Sequence, residues 1–532
     1  MAPGIVLPEF GTPIGMVVIC FSALSVLYVF HSSFFRVPRA KGVPLLRERP
    51  GKTTFSLKNR LSYFTGCEAI YHEAYHGYCK KGKAVIIPGI GFRDEIILPV
   101  TSIHWASSQP ESVLSNNEAF LEVNQTKYSL GHTKYVGDPW QSMLVKREMN
   151  AVLENIVAGL NEELQVAFDA YFGTDENSWK RINLLSTVKM VVAQAASRFT
   201  VGLPLCRNGQ YLKDSLTAID GCVINAAITG GMPPMLRPFV GRLAGMKTQL
   251  AQRKVRRHLE PTYRTRLEAF KNTQHDLHHV EPQDHLQLML RYAQRERPEE
   301  LYNLDVISRR LTAANFGSMH QTSIQVTNML LNILGSDAEY NTIEVLRDEA
   351  TRIMGKDKEW TKAKICKMNK ADSVARETMR CHSFGTRSIL RKVMVHGLVT
   401  DTGIELPKGS MISFLAQPAQ MDVETYEEPH KYDPFRFSRM RDAATNSAKA
   451  NTLSFVSTGS NYLPFGHGKH ACPGRFLLDF ELKMIIAYVL RNYDIKFPEE
   501  YNGKRPANKW LGEANIPPEG VNLLVKRRMG SI

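Results

Sequence analysis

Cys472 stands immediately before the run PGRFLLDFELKMIIAYVL, in which apolar residues recur at spacings of three and four. That spacing predicts an amphipathic helix over 474–492, with Pro473 in its first turn, where a missing N–H costs nothing. No other segment constrains the fold as strongly, because it fixes a lone thiol at the N-terminus of a long helix. Unpaired backbone N–H groups and the helix dipole there favour an anionic sulfur, so a lowered thiol pKa is expected. Upstream the chain reads FGHGKHA; Gly466 and Gly468, with Gly474, let the backbone turn tightly and admit a bulky planar group. Phe465 is placed to shield the sulfur, and His470 to reach a carboxylate. A thiol so placed suits a buried structural role, a nucleophile with a nearby base, or a metal ligand. Helix-end geometry alone does not separate the last two.

Helical periodicity also runs through 141–172, 185–200, 309–334 and 361–379. Strand-like runs are short, at 83–87, 95–98 and 392–398. The fold class that follows is mainly α (α+β), a large helical domain with a small β-rich subdomain. The prolines 233, 234 and 238 interrupt two helical regions, and the basic cluster Arg253, Lys254, Arg256 and Arg257 follows. The 532 residues include eight scattered cysteines with no CxxC pair, which argues against a disulfide framework or a zinc site and for a reducing compartment. The net charge is +15, but the basic residues are spread out and no nucleic-acid motif accompanies them. No nucleic-acid partner is expected; an anionic membrane surface or an acidic protein partner explains the charge.

The N-terminus sets the location. No charged side chain occurs between Glu9 and Arg36, and residues 14–30 are apolar over a length that spans a bilayer. No basic segment precedes the run, and it is long for a signal peptide, so a retained transmembrane helix is expected. Arg36, Arg39, Lys41, Arg47 and Arg49 follow it and place the remainder on the cytosolic side. The expected organisation is an anchor over 1–36, a proline and basic hinge over 37–50, and a catalytic domain over 51–532. Asn124-Gln125-Thr126 matches a glycosylation sequon that a cytosolic domain leaves unused.

The stretch 465–474 resembles the haem-binding loop of the cytochromes P-450, F-x-x-G-x-[RH]-x-C-x-G, at Phe465, Gly468, His470, Cys472 and Gly474. His470 stands where arginine is commonest. Upstream, Glu377-Thr378-Met379-Arg380 matches the family's E-x-x-R helix, and Arg436 in YDPFRF matches the arginine that completes a buried triad with it. Glu and Arg three apart share a helix face, and a second arginine makes the network bidentate. Three motifs in register, from anchor to terminal sheet, cover nearly the whole chain. The resemblance implies haem b with Cys472 as the axial thiolate and sole protein ligand of the iron, a ligation that favours O–O cleavage. It also implies haem propionates held by His470 and Arg391, and by Arg147 beside Lys146. Leu144 occupies the basic position of the family's W-x-x-x-[RK], counted from Trp140.

On the oxygen side the family shows [AG]-G-x-[DE]-T-[TS]; here the segment reads Gly317-Ser318-Met319-His320-Gln321-Thr322. His320 replaces the acid and Gln321 the relay threonine, a pattern that resembles fungal ent-kaurene oxidase-like enzymes. Glutamine is a poor proton donor, whereas histidine titrates near neutrality, so a His320/Thr322 proton relay is expected, with Gln321 binding oxygen or water. The resemblance therefore implies a monooxygenase on the cytosolic face of the endoplasmic reticulum membrane. It would take electrons from NADPH through a reductase, use dioxygen, and oxidise a lipophilic secondary-metabolite intermediate. A terpenoid or indole-terpenoid is the first expectation, with alkaloid and polyketide substrates open. The alternatives are a haem-thiolate isomerase or dehydratase working without reductase, and a non-catalytic haem protein that binds a ligand.

Overall fold

The computed structural model describes residues 37–272, 281–355 and 360–530, with Val26 alone from the segment before them. The expected transmembrane helix therefore lies outside the described residues, Val26 excepted, and among the described residues no helix is long and apolar enough to cross a membrane.

The principal helices are α1 (Leu153–Tyr171), α2 (Leu184–Thr200), α3 (Gly209–Gly230), α4 (Arg237–Asn272), α5 (Leu304–Asn315), α6 (Thr322–Tyr340), α7 (Asn369–His382) and α8 (Arg475–Asn492). Helix α6 packs on α2, α7 and α8, and these share one large apolar core. The strands are β1 (Val85–Pro88), β2 (Asp94–Ile97), β3 (Leu114–Ser115), β4 (Lys180–Asn183), β5 (Arg387–Val393), β6 (Met411–Leu415), β7 (Tyr493–Lys496) and β8 (Asn522–Arg527). The larger sheet runs β1-β2-β6-β5-β3, with β2 and β6 parallel and the other pairs antiparallel. It closes a second, smaller apolar core. A three-stranded sheet, β4-β8-β7, ties the chain's C-terminal region to the start of α2.

Several elements depart from the periodic pattern. The run 141–172 is not one helix: Trp140–Leu144 passes into a π turn at Val145–Met149 before α1 starts. The run 309–334 is likewise interrupted by a π turn, Phe316–Gln321, which joins α5 to α6. Such one-residue insertions leave the apolar spacing nearly intact, so periodicity does not reveal them. The strand expected at 392–398 lies earlier, at β5, because Gly397 at φ 69° turns the chain. Helix α8 is buried on nearly all sides rather than amphipathic, and Asp479, Glu481 and Lys483 are buried with it. Lys483 bridges Asp479 at 2.8 Å and Asp372 at 2.9 Å, so two of the three charges are neutralised inside the core. Pro473 precedes the first turn rather than occupying it, since Gly474 is the N-cap.

Candidate functional site

The glycine-rich loop folds back on itself before α8. The Cys472 N–H donates to the Phe465 carbonyl at 2.8 Å, which closes the loop. Gly466 and Gly468 both sit at φ 70°, where a side chain would be strained. Phe465 is buried edge-on against Phe455, with centroids 5.2 Å apart. A Cβ on Gly474 would meet only Val145, at 4.0 Å, so the space over the helix start is nearly open. Burial is the largest influence on the Cys472 thiol and raises it above the ordinary cysteine range. The N–H groups of Gly474 and Arg475 and the Arg475 charge pull the other way. The helix end acts in the expected direction, but desolvation outweighs it.

Around this loop lie cations with few anions. His470 Nε2 is 3.4 Å from Glu111 Oε1. Burial lowers His470, as does the neighbouring Arg391 charge, while Glu111 opposes them. Arg391 reaches inward from β5 at a bulge: the register with β6 shifts between Ser388 and Arg391, and Ile389 adopts φ 53°. A branched residue there costs on the order of 1 kcal/mol, and bulges of this kind re-aim a side chain. Arg391 Nη1 donates to Asn116 Oδ1 at 2.7 Å and to its neighbour's carbonyl, Leu390 O, at 2.8 Å. Burial pushes it down to about 10, so nothing in the fold fully balances its charge. Lys146 and Arg147 are exposed on the π turn facing Gly474, and Lys146 is one of the charges that lower His470.

Behind the loop the three-part ion network is complete. Arg380 grips Glu377 with two contacts of 2.7 Å, and Arg436 Nε reaches Glu377 Oε1 at 3.1 Å. Arg380 and Glu377 are fully buried; Arg436 also donates to the Glu427 carbonyl at 2.6 Å. This network holds α7 to the segment that leads into the cysteine loop.

The π turn between α5 and α6 carries His320 and Gln321, and Thr322 begins α6. His320 Nδ1 meets Asp220 Oδ1 of α3 at 2.9 Å, and Asp220 Oδ2 accepts from Lys189 Nζ of α2 at 2.8 Å. Although burial opposes it, those two partners hold the Asp220 carboxyl below its usual range. His320 stacks on Phe316 at 5.5 Å and meets Phe384 edge-on at 5.8 Å. Thr322 Oγ1 donates to the Gly317 carbonyl at 3.2 Å, so it is bonded within its own helix and not to His320. Gly317 and Gln321 are exposed on an otherwise buried helix, and a Cβ on Gly317 would meet nothing within 4 Å. Asp220, Lys189, Glu111 and Asn116 were not singled out in the sequence. Their contacts span 31 residues between Lys189 and Asp220, 100 between Asp220 and His320 and 275 between Asn116 and Arg391, and no local spacing signals them.

An uncompensated buried arginine, a thiol at a helix start and open space at Gly317 and Gly474 suit one kind of guest, a flat anionic cofactor. The fold thus defines a helical protein organised around such a group. A family model for cytochrome P450 matches residues 141–525. The chain is 52% identical to the cytochrome P450 monooxygenase pbrC of Penicillium brasilianum, over 94% of each chain. It is 51% identical to the cytochrome P450 monooxygenase astC of Aspergillus terreus, also over 94% of each. Retinoic acid-bound cyanobacterial CYP120A1 shares the fold at a TM-score of 0.63 and 14% identity, over 88% of this chain and 96% of that one. The chain belongs to the cytochrome P450 family, and it is a haem monooxygenase of the fungal type.

Proposed function

We propose that this enzyme is a membrane-anchored haem-thiolate monooxygenase of fungal secondary metabolism, with Cys472 as the axial ligand and electrons supplied from NADPH by a reductase. The observation that carries the reading is Cys472 itself, a lone thiol held at the start of a buried helix by its bond to Phe465 O. Haem b bound there supplies dioxygen activation. The residues around it bind and orient: Arg391 and His470 offer positive charge to the propionates, and Arg147 offers a weaker, solvent-facing one. Phe465 packs on Phe455 within the loop, Gly468 lets the loop turn against Ser107, and Gly474 and Gly317 leave room for a flat ring.

On the distal side, the His320–Asp220–Lys189 chain supports a route for protons from the surface to the π turn. Lys189 and Asp220 are partly exposed, and Asp220 orients the imidazole through Nδ1, leaving Nε2 to act. Thr322 is expected to join only after releasing Gly317 O, and Gln321 to orient oxygen or water. The substrate is proposed to be lipophilic, with a terpenoid or indole-terpenoid skeleton the first class to test and alkaloids and polyketides the next. Attachment to the endoplasmic reticulum membrane by residues 1–36, with the hinge over 37–50 and the catalytic domain over 51–532 on the cytosolic face, is supported by the uncharged run over 14–30. It is also supported by a stripe of exposed apolar side chains, Phe239, Leu243, Met246 and Leu250, on α4.

Carbon monoxide added to the reduced protein should give the red-shifted Soret band of thiolate-bound haem, and Cys472→Ala should lose it; an unchanged band in that variant refutes the ligand assignment. Turnover without NADPH or reductase would favour an isomerase or dehydratase instead. The precursor that accumulates in a deletion strain identifies the substrate class.

A further inference from the structure

Helix α6 is buried along most of its length, yet one ridge of it consists of amides. Gln321, Gln325, Asn328 and Asn332 follow one another at spacings of four, three and four, and so share a face. Hydroxyl groups elsewhere on the helix return their protons to carbonyls one turn back: Thr327 to Ser323 O at 2.7 Å and Ser336 to Asn332 O at 2.8 Å. Amides in this helix look outward instead. Asn328 Nδ2 donates to His382 O at 3.2 Å, and its Oδ1 accepts from Arg505 Nη2 at 3.0 Å. Asn332 Nδ2 contacts Thr378 Oγ1 and His382 Nδ1, both at 3.2 Å.

Five polar atoms around this ridge are buried without a partner among the described residues: Gln325 Nε2, Asn332 Oδ1, Arg505 Nε, Asn508 Nδ2 and Asn515 Oδ1. Three are donors and two are acceptors, and they lie on two adjoining parts of the chain. Asn508 Oδ1 accepts from Arg505 at 2.8 Å, and the Asn515 N–H donates to the carbonyl of Phe384, the residue that meets His320. A cluster of buried donors and acceptors that do not satisfy one another is the usual mark of internal water. The outer end is open: Arg505 lines a surface depression of about 350 Å³ with Tyr501, Lys504 and Glu519. Gly335 makes the crossing feasible, since a Cβ there would fall 2.9 Å from Arg505 Cβ.

We infer that ordered waters bridge these five atoms and form a passage from the Arg505 depression along the amide ridge to Gln321 and Thr322. The passage rests on the monooxygenase assignment only for its use, not for its existence. Its chemistry suits water rather than protons. Amides do not ionise, His382 is held well below the ordinary histidine range by burial and by Arg505, and a guanidinium at the neck repels a hydronium ion. The enzyme would then separate two tasks, with water exchanged past Arg505 and protons moved through Lys189, Asp220 and His320.

A crystal structure of the holoenzyme should show ordered water within hydrogen-bond distance of at least three of the five atoms. Amides rotated to satisfy one another, with no water between them, would overturn the inference. Gln325→Leu gives a second reading that does not depend on turnover. If the site is dry, an apolar replacement removes an unsatisfied group and raises Tm; if waters fill it, they lose a partner and Tm falls. The pH profile of turnover separates water from protons: Gln325→Leu should leave it in place while His320→Gln moves it. A profile shifted by Gln325→Leu would show the ridge carrying protons and end the division of labour.

Discussion

Replacing Arg391 by methionine should strengthen the haem-free protein and weaken its hold on haem, two effects of opposite sign from one side chain. In the fold Arg391 is 2% exposed, and burial pushes its pKa well below the ordinary arginine value, down to about 10. That displacement corresponds to a penalty on the order of 3 kcal/mol for keeping the cation inside. Its folded value lies below its unfolded one, so the penalty is full below pH 10 and fades only as pH rises from there toward the ordinary arginine value. At pH 7.5, about the working range of most assays, all of it is present. Methionine removes the charge but leaves Asn116 Oδ1 without the donor it has at 2.7 Å, a loss of about 1 kcal/mol. The haem-free variant should therefore gain about 2 kcal/mol, read as a higher urea midpoint by far-UV circular dichroism. In the haem-loaded protein a propionate is expected to offset the buried charge, so the variant gives up a pairing worth about 3 kcal/mol. Haem should then transfer to an excess of an apoglobin about a hundredfold faster. A lower midpoint in the haem-free variant, or haem loss at the wild-type rate, would refute the reasoning that Arg391 is held in reserve for an anion.

Three further perturbations test other parts of the fold. Glu377→Gln leaves fully buried Arg380 facing a neutral amide and should cost about 3–5 kcal/mol in urea unfolding, whereas Arg436→Met, whose arginine has carbonyl partners at the rim, should cost less; equal losses would contradict the central place of Glu377. Glu481 is buried in α8 with Oε1 unpartnered, and burial pushes it up to about 8. Because the folded state keeps its proton above the unfolded value of 4.5, stability should fall as pH rises from 4.5 to 8, and Glu481→Gln should flatten that slope by up to about 5 kcal/mol; parallel pH profiles of the urea midpoint for the two proteins would count against it. Asp220→Asn withdraws the carboxylate that orients His320 at 2.9 Å, and should divert electrons from product to peroxide several-fold with little change in haem content, measured as product formed per NADPH consumed. Unaltered coupling would place the proton route elsewhere.

What the sequence discloses and what it hides divide along physical lines. Helices α2 and α8 and strands β1 and β2 were legible because a periodic apolar face must repeat within the element that carries it. The triad of Glu377, Arg380 and Arg436 was legible for a different reason: two members lie three apart on α7, and the third sits in a motif of fixed order. The π turns escaped, since one extra residue in a turn barely disturbs spacing. So did the environment of α8, because a helix with acidic and basic residues reads as half exposed unless Asp372 of α7 is known to cross it at Lys483. The thiol shows the limit most clearly. A helix N-terminus argues for an acidic cysteine, and the N–H groups of Gly474 and Arg475 do act that way, yet the burial that outweighs them comes from the folded surroundings of the loop. The distal turn follows the same logic. His320 could be picked out from its place in a motif, but the partner that fixes its ring belongs to α3 and the cation behind that partner to α2. Local chemistry is written locally; the electrostatic setting that gives it direction is assembled only by the fold. It follows that a relative with His320 but a neutral residue at position 220 should retain the helix and lose the oriented imidazole, and its coupling of NADPH to product should resemble that of Asp220→Asn.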